Sequence, residues 1–425
     1  MFRRIGTAEV ELGMFIQQLE GSWFKHPFWR KKFVLIDPRQ LRDLQCSDID
    51  GVIIDTEKGR DVVVEASEVP LERPVPRVLR PARFQQHSLG PVRTLPSAPA
   101  QPTAPFAPAV RREFGKALRV VGRTEMAVSR VFLESRLGKA VNVKRVEPVV
   151  EEVFQSLQEN PHAFGGLMRC RDGVPTVYRH AMAVSALMIS LAMRMKLAPR
   201  EIRLAGMAGL MMDIGLGHLP ESIQCPDGPL TTDARQDPHH IVLGYDILRA
   251  AEGLPEEIMQ VCLNHHERMD GSGYPAGLGA ASIDRFSRMA GICDSFDNLI
   301  SFDGNGEALD PARALQVLAD AQAQYDTDIL AAFIESVGTY PVGSVVELRS
   351  GHLAMVVNGD PDGTDLPIVR TFYDLLSQRR VQGETVNLRH CYGQDRIVGI
   401  GNLSGLELDN MEALREAVMA EALKA

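Results

Sequence analysis

The chain has 425 residues, 45% of them hydrophobic and 24% charged, which indicates a globular protein long enough for two or three domains. The net charge of −9 and a pI near 5.7 leave no basic footprint, so nucleic acid is not expected as the main partner. The six cysteines are scattered without a Cys-x-x-Cys motif, which argues against a disulfide framework or a zinc cluster and suits a reducing cytoplasm.

The first segment, residues 1–67, is predicted to form a small α+β domain. Residues 34–36 and 52–54 are strand-like, and each run is bounded by turn or charged residues. The two tryptophans, Trp23 and Trp29, are expected to belong to a small core, with a docking surface as the alternative. The first ten residues contain no hydrophobic signal core, so we expect a cytoplasmic protein.

A proline-rich linker is predicted at residues 68–110. This stretch holds ten of the 26 prolines in the chain. Proline removes backbone donors and disfavours regular structure, so the linker is expected to be extended or disordered.

The central region, residues 111–338, is predicted to be an all-α bundle. Apolar residues such as Phe114 and Val121 recur at helical spacing from its start. The uncharged run between His180 and Arg194 is too short to span a bilayer, so we expect a buried helix there and no membrane span. Further helices are expected around residues 176–196, 200–214, 237–251, 255–267, 283–301 and 311–335.

The C-terminal region, residues 339–425, changes character. Residues 345–348, 354–357 and 397–400 are strand-like, with Asn-Gly and Asp-Gly turns between them. We therefore predict a small β-rich appendix that ends in a helix near residues 409–423. The fold class predicted for the whole chain is mainly α, with small sheets at both ends.

Residues 264–275 form the most informative stretch of the chain, Asn-His-His-Glu-Arg-Met-Asp-Gly-Ser-Gly-Tyr-Pro. His265 and His266 can both serve one site only if that site lies at the end of a helix. Neutral imidazole is the commonest metal ligand in proteins, and the glycines and proline that follow would fix an unusual backbone path. A helix end followed by an ordinary polar turn is the alternative interpretation.

Other candidate metal ligands lie on separate predicted helices, which a bundle can bring together. Asp213 stands between apolar residues in Met-Met-Asp-Ile-Gly, and burying a carboxylate there is costly unless it meets a metal ion or another cation. The candidate ligands are His180, Asp213, His240, His265, His266 and Asp294.

The order of these residues resembles the HD-GYP family, a branch of the HD-superfamily metal-dependent phosphohydrolases. The resemblance runs from about His180 to Asp297 and includes the whole His-His-Glu-Arg-Met-Asp-Gly-Ser-Gly-Tyr-Pro motif. Residues 5–60 are similar to the small N-terminal domain often placed before HD-GYP units. The resemblance covers most of the chain except the linker.

This resemblance implies a helical enzyme that hydrolyses the bacterial second messenger cyclic di-GMP at a centre of two or three metal ions, usually iron or manganese. It implies that the six candidate ligands hold the metal and that Asp213 is the bridging ligand at the catalytic centre. It also implies a loop beside the site that contacts substrate or protein partners. In this chain the loop residues are Arg268, Asp270, Gly271, Gly273, Tyr274 and Pro275.

The metal ligands depart from the family pattern at one decisive position. Met212 replaces the histidine of the defining His-Asp pair, and its soft thioether suits manganese or ferrous ions poorly. The position served by His180, Asp213 and Asp294 therefore loses a ligand, whereas the position served by Asp213 and the other three histidines is intact. We expect one or two ions per chain. A third ion is not expected, because Thr176 stands where some members place a carboxylate.

Substrate contacts depart from the family pattern as well. Leu216 replaces a lysine that approaches the substrate phosphates, and leucine cannot offset negative charge. Residues 301–307, Ser-Phe-Asp-Gly-Asn-Gly-Glu, replace an Arg-Pro-Tyr-Arg stretch that contacts the ligand. His218 or His239 could substitute as a metal ligand.

Two functional hypotheses follow. The chain is a cyclic di-GMP phosphodiesterase whose activity is impaired by Met212 and Leu216. Alternatively, it is a non-catalytic scaffold or sensor that contacts a diguanylate cyclase or another signalling protein through the Tyr274-Pro275 loop. Binding of cyclic di-GMP without turnover is a third possibility, although the missing cations that weaken catalysis also weaken phosphate binding.

Overall fold

The computed structural model describes residues 2–20, 32–47, 49–60, 108–170, 176–218, 238–301, 308–360, 366–391, 395–403, 406 and 411–424. The chain divides into two compact units: the described residues before 61 belong to the first unit and those after 107 to the second. Trp23, Trp29, most of the predicted linker and residues 302–307 lie outside the described residues.

The N-terminal unit is a small antiparallel sheet with one helix, as the α+β prediction requires. Its elements are β1 Phe2–Ile5, β2 Phe15–Glu20, β3 Phe33–Val34, α1 Pro38–Gln45 and β4 Gly51–Asp55. The strand order is β1-β4-β2-β3. Alternate residues such as Ile16, Val52 and Ile54 are fully buried, and Leu35 and Leu44 complete this small core.

Helices dominate the second unit. They are α2 Pro108–Arg136, α3 Val143–Glu159, α4 Ala163–Arg169, α5 Thr176–Arg194, α6 Pro199–Met211, α7 His239–Arg249, α8 Glu256–Asn264, α9 Arg285–Ile300, α10 Pro311–Asp320, α11 Thr327–Val337 and α12 Met411–Lys424. The central helix, α5, packs against α2, α3, α4, α6, α9 and α11. Its uncharged run is buried, and among the described helices none is long and apolar enough to cross a membrane.

The prediction of one continuous helix over residues 311–335 is wrong. Residues 311–335 form two helices, α10 and α11, which are separated by a 3₁₀ turn at Gln322–Gln324. The carboxylate of Asp326 accepts the backbone N–H of Ile329 at 3.2 Å and so starts a new helix. Apolar periodicity resumes after the turn, and for that reason the sequence pattern did not reveal the break.

A second antiparallel sheet follows the helices. It comprises β5 Val345–Leu348, β6 His352–Asn358, β7 Ile368–Asp374, β8 Arg379–Arg380, β9 Thr385–Asn387 and β10 Ile397–Ile400. The order is β10-β5-β6-β7-β8, and β9 also pairs with β7. β7 was not predicted from the sequence.

This sheet packs directly on the helices. The helices and the sheet contribute buried side chains to one continuous hydrophobic core. Asp310, which caps α10, accepts the backbone N–H of Val345 at 2.7 Å, and Arg415 of α12 donates to the carbonyl of Gly343 at 3.1 Å. The helical bundle and the sheet therefore belong to the same compact unit, and a domain boundary between residues 338 and 339 stays a prediction.

Candidate metal centre

The six predicted ligands converge inside the second unit. His180 lies on α5, His240 on α7 and Asp294 on α9, whereas His265 and His266 follow the last residue of α8. All six side chains are buried.

Asp213 reaches the cluster because the chain turns sharply after α6. Met212 ends that helix, and a 3₁₀ turn spans Ile214–His218. This turn lies on the backbone of α7, because a Cβ built at Gly215 would come 1.9 Å from the carbonyl oxygen of His240. Only glycine allows that approach, and it brings Asp213 and His240 to the same place.

A first group consists of Asp213 and three histidines. Asp213 Oδ1 lies 3.5 Å from His240 Nε2 and 3.4 Å from His265 Nε2, and His266 Nε2 lies 3.3 Å from His240 Nε2. One potential ligand atom from each of the four residues lies within 4.8 Å of the others. Asp213 Oδ1 and His265 Nε2 are buried without a hydrogen-bond partner. Such orphaned atoms are costly, and a cation between them would satisfy both.

The backbone orients His265 for this role. Its Nδ1 lies 3.0 Å from the carbonyl oxygen of Val261 and 3.1 Å from that of Cys262. A protonated Nδ1 donates to these oxygens, and the lone pair of Nε2 then faces Asp213. This is the usual support of a metal-binding histidine.

A second group contains His180, Asp213 and Asp294. His180 Nε2 lies 3.1 Å from Asp213 Oδ2 and 3.2 Å from Asp294 Oδ1. Asp213 thus faces both groups, with one oxygen toward each. Asn298 donates to Asp294 Oδ1 at 2.8 Å and fixes that carboxylate from the next turn of α9.

Asp297 is a site residue that sequence reasoning missed. Its Oδ2 lies 2.7 Å from His180 Nδ1, on the side of the ring opposite the other two carboxylates. The available signal was its position three residues after Asp294, since residues i and i+3 share a helix face. Because Nδ1–H donates to Asp297, the Nε2 atom is left to face the cluster.

The buried charges in the cluster stabilise one another. Burial alone raises the pKa of Asp213, but its hydrogen bond with His180 and the charge of the nearby His265 outweigh it and hold that pKa well below the ordinary value. Burial lowers the pKa of His180, but its three carboxylate neighbours raise it well above the usual range. Burial and the charge of His265 lower the pKa of His266 well below its usual range. The carboxylates therefore stay ionised and the ring of His266 stays neutral, whereas His180 must release a proton when it binds a metal ion.

Met212 and Leu216, which the resemblance predicts to replace a histidine and a lysine, belong to the hydrophobic core. Met212 is fully buried, and its backbone N–H donates to the carbonyl of Ala208 at 2.8 Å. Leu216 is 1% exposed. Both side chains are members of the apolar cluster that surrounds the helices.

The two candidate replacement ligands lie elsewhere. His218 Nε2 is 2.8 Å from Ser135 Oγ on α2, and His239 is exposed at the first residue of α7. Neither belongs to the ligand groups found in the described part of the chain.

The loop after His266 folds back over the end of α8. The ring of Tyr274 stacks on the ring of His266, with centroids 4.6 Å apart and an interplanar angle of 21°. Gly271 and Gly277 have φ angles of +78° and +63°, which other residues rarely adopt. The exposed tip of the loop comprises Pro275, Ala276 and Gly277.

Two charged residues of the loop have structural contacts. Arg268 donates to the carbonyl of His265 at 3.3 Å and to Ser295 Oγ at 3.1 Å, and its guanidinium lies 5.3 Å from the ring centroid of Tyr325. Asp270 accepts the backbone N–H of Ser272 at 3.0 Å and is exposed.

The side chain of Thr176 lies outside the described residues.

Comparison with known families gives two matches. Residues 2–146 match a domain of unknown function (DUF3391), and residues 168–329 match the HD domain. The second match contains all six candidate ligands.

Two curated relatives carry the same named activity. The chain is 32% identical to cyclic di-GMP phosphodiesterase PA4108 of Pseudomonas aeruginosa, over 97% of this chain and 95% of the relative. It is 29% identical to the cyclic di-GMP phosphodiesterase response regulator RpfG of Xanthomonas campestris pv. campestris, over 37% of this chain and 42% of the relative. Among solved structures, the HDG"Y"P protein Bd1817 of Bdellovibrio bacteriovorus aligns with 78% of this chain and 98% of its own, at 14% identity and a TM-score of 0.42.

Proposed function

Because this chain belongs to the HD-GYP family, we propose that it is a metal-dependent phosphodiesterase that hydrolyses cyclic di-GMP, with activity lowered by Met212 and Leu216. The observation that carries the proposal is a buried Asp213 whose two oxygens face separate groups of metal-ligating side chains. The full-length relative from Pseudomonas aeruginosa supports the substrate. Cyclic di-GMP is an intracellular messenger, so we propose that the protein acts in the cytoplasm.

The first group would hold one divalent ion with Asp213, His240, His265 and His266. Three imidazoles and a carboxylate suit iron or manganese, both of which accept nitrogen and oxygen ligands. A bound ion supplies Lewis acidity toward a phosphate oxygen and lowers the pKa of water. The chain's own residues orient the ligands, since Val261 fixes His265 and the Asp213 carboxylate is shared with the second group.

The second group would hold its ion more weakly. His180, Asp213 and Asp294 supply three ligands, and the neighbouring Met212 adds only a thioether in the apolar core. At Leu216 the chain offers no cation to the substrate phosphates. Each missing electrostatic contribution is worth about a hundredfold in rate at comparable sites.

Metal content and turnover should be measured on the same purified sample. We expect between one and two ions of iron or manganese per chain and slow conversion of cyclic di-GMP to its linear product. A chain loaded with manganese or iron that forms no linear product at all would contradict the enzymatic proposal.

A second candidate function is protein binding through the Tyr274-Pro275 loop. The exposed loop tip favours it, because the backbone of this loop is anchored while Pro275 and Ala276 face solvent. A diguanylate cyclase or another signalling protein is the proposed partner. In this case Tyr274→Ala reduces partner capture, whereas His265→Ala chiefly reduces metal content. If both variants lost partner capture equally and neither changed the metal content, the result would argue against the scaffold function.

A further inference from the structure

We propose that Glu267 is a positioning residue whose carboxylate closes the loop of residues 267–279 onto the end of α8 and thereby holds Tyr274 against the metal ligand His266. This inference deepens the proposed function, since it concerns the same metal centre. The experiments that test it measure metal affinity and the stacking of Tyr274 on His266, so they do not depend on turnover of any substrate.

Both oxygens of Glu267 are engaged by the far side of the loop. Oε1 accepts the backbone N–H of Ala276 at 2.7 Å, and Oε2 accepts the backbone N–H of Leu278 at 2.8 Å. The side chain is 5% exposed. Hydrogen bonds from a backbone N–H to a buried carboxylate are short and strong. The Glu267 side chain therefore fixes the second half of the loop at two points, Ala276 and Leu278.

Close packing at Gly273 determines how the loop backbone lies on the end of α8. A Cβ built at Gly273 would lie 2.4 Å from the backbone nitrogen of Arg268 and 2.5 Å from Glu267 Cα and the carbonyl oxygen of His266. The next residue, Tyr274, donates its backbone N–H to that same carbonyl oxygen at 3.3 Å. Glycine at this position therefore lets the loop backbone rest directly on the residues that carry the ligand pair.

Closure of the loop has a consequence for His266. His265 is oriented by hydrogen bonds from Nδ1 to the backbone, whereas the face of the His266 ring packs on the Tyr274 ring. His266 Nε2 then lies 3.3 Å from His240 Nε2, and Nδ1 lies 3.7 Å from Asp294 Oδ2. Loss of the Glu267 contacts would free the loop, remove the stacked ring and leave His266 free to rotate away from the ligand group.

Glu267 is not itself placed to bind metal. It belongs to neither ligand group in the described part of the chain, and both of its oxygens accept loop N–H groups. Its effect on the centre must therefore pass through the loop and Tyr274. A residue that only stabilised the fold would lower the melting temperature without changing the metal centre of the folded protein.

The test compares three full-length variants, and a fourth serves only to assign a resonance. Glu267→Gln keeps the size of the side chain but replaces one acceptor oxygen with a donor, which repels a loop N–H. Gly273→Ala lifts the loop with Glu267 intact and so carries the test if Glu267→Gln fails to fold. Gly279→Ala is the matched control, because it lies in the same loop, has a φ of −77°, and a Cβ there meets nothing within 4 Å.

Two readouts are needed, Mn²⁺ affinity by electron paramagnetic resonance and ¹⁹F spectra of protein labelled with 3-fluorotyrosine. The chain has seven tyrosines, and the Tyr274→Phe spectrum assigns the resonance of Tyr274. We expect Glu267→Gln and Gly273→Ala to raise the Kd for Mn²⁺ by about 10- to 100-fold, as loss of a supporting contact does elsewhere. Both should shift the Tyr274 resonance toward that of unfolded protein, and Gly279→Ala should change neither.

Unchanged affinity, or an unchanged Tyr274 resonance, in folded Glu267→Gln and Gly273→Ala would overturn the proposal. A wild-type chain that binds neither Mn²⁺ nor Fe²⁺ would contradict the proposed function instead. The Tyr274 resonance would then still decide whether Glu267 holds the loop.

Discussion

Asp297 Oδ2 lies 2.7 Å from Nδ1 of His180, and this contact gives the His180 ring a fixed orientation. Both side chains are buried, and Asp297 lies on α9 one helical turn beyond Asp294. One helix thus supplies a carboxylate to each side of the same imidazole. A carboxylate behind a metal-binding histidine also raises its basicity, which strengthens its bond to a cation.

Replacing Asp297 should weaken the second ligand group without removing a ligand. In Asp297→Asn the amide oxygen can still accept from Nδ1, but the negative charge is lost. We expect the second ion to dissociate about tenfold more readily. Titration of the metal-loaded protein with a chelator measures this, and Asp320→Asn, at the exposed end of α10, is the control. An identical chelator profile for both variants would contradict the assigned role of Asp297.

Restoring the missing ligand should raise metal occupancy. Met212 adjoins Asp213 at the end of α6, so Met212→His adds an imidazole next to the incomplete group. We expect close to two ions per chain and a kcat at least about tenfold higher, given the electrostatic contribution of a second ion. Met212→Leu keeps the apolar character and should change neither quantity. An increase in kcat with both variants would show that relief of packing, rather than the new ligand, is responsible.

Restoring the missing lysine should instead damage the protein. Leu216 is 1% exposed within the apolar cluster, so Leu216→Lys places an ammonium group among hydrocarbon side chains. We expect the free energy of unfolding to fall by about 2–4 kcal/mol, which urea denaturation measures. Leu216→Met should cost less than about 1.5 kcal/mol. If the lysine variant is as stable as wild type, the side chain must have found a path to solvent.

His218 should not be a metal ligand. It contacts Ser135 on α2, whereas His265 faces Asp213. We therefore expect His218→Ala to keep the wild-type metal content by elemental analysis, and His265→Ala to lose about one ion per chain. Loss of metal from the His218 variant would mean that the turn after Asp213 rearranges on metal binding.

Stability should fall in mild acid because of His162. Burial, assisted by the charge of Arg169, lowers the pKa of His162 from 6.5 to about 4. The unfolded chain takes up a proton near pH 6.5 and the folded chain only near pH 4, so the free energy of unfolding decreases as the pH falls through that window. The full loss is about 3 kcal/mol.

Urea denaturation between pH 4 and pH 7 checks this expectation. Other groups also titrate in this range, so the relevant quantity is the difference between wild type and His162→Gln. That difference should change as the pH falls from 6.5 to 4. A pH-independent difference for His162→Gln would contradict the lowered pKa.

Most helices of the core and all six candidate ligands could be predicted from the sequence, whereas some element boundaries and the residues that support the ligands could not. The central helix α5 was predicted from a continuous uncharged run, because a helix that is buried over most of its length is apolar on nearly every side. The break at Gln322–Gln324 was missed because apolar periodicity resumes after it, although its cap at Asp326 is local. The strand β7 was missed because its pairing depends on β6 and β9, which are separate segments of the sequence.

At the candidate metal centre, residue type was informative only where metal binding requires a side chain that is unusual in apolar surroundings. Histidines and a carboxylate in apolar surroundings stand out in a sequence. Asp297 and Glu267 do not, because a supporting carboxylate on a helix or in a polar turn looks like ordinary surface until its partner is known. The role of Asp297 depends on His180, 117 residues away, and no local pattern encodes that distance.

The carboxylate of Asp310 joins three parts of the second unit. It caps α10, accepts from Val345 at the start of the sheet, and lies 3.9 Å from the guanidinium of Arg415 on α12. The segment that matches the HD domain, residues 168–329, contains this carboxylate but neither the sheet nor the arginine that it contacts. The structural unit is therefore larger than the segment that matches the HD domain, because the bundle and its terminal sheet stabilise each other.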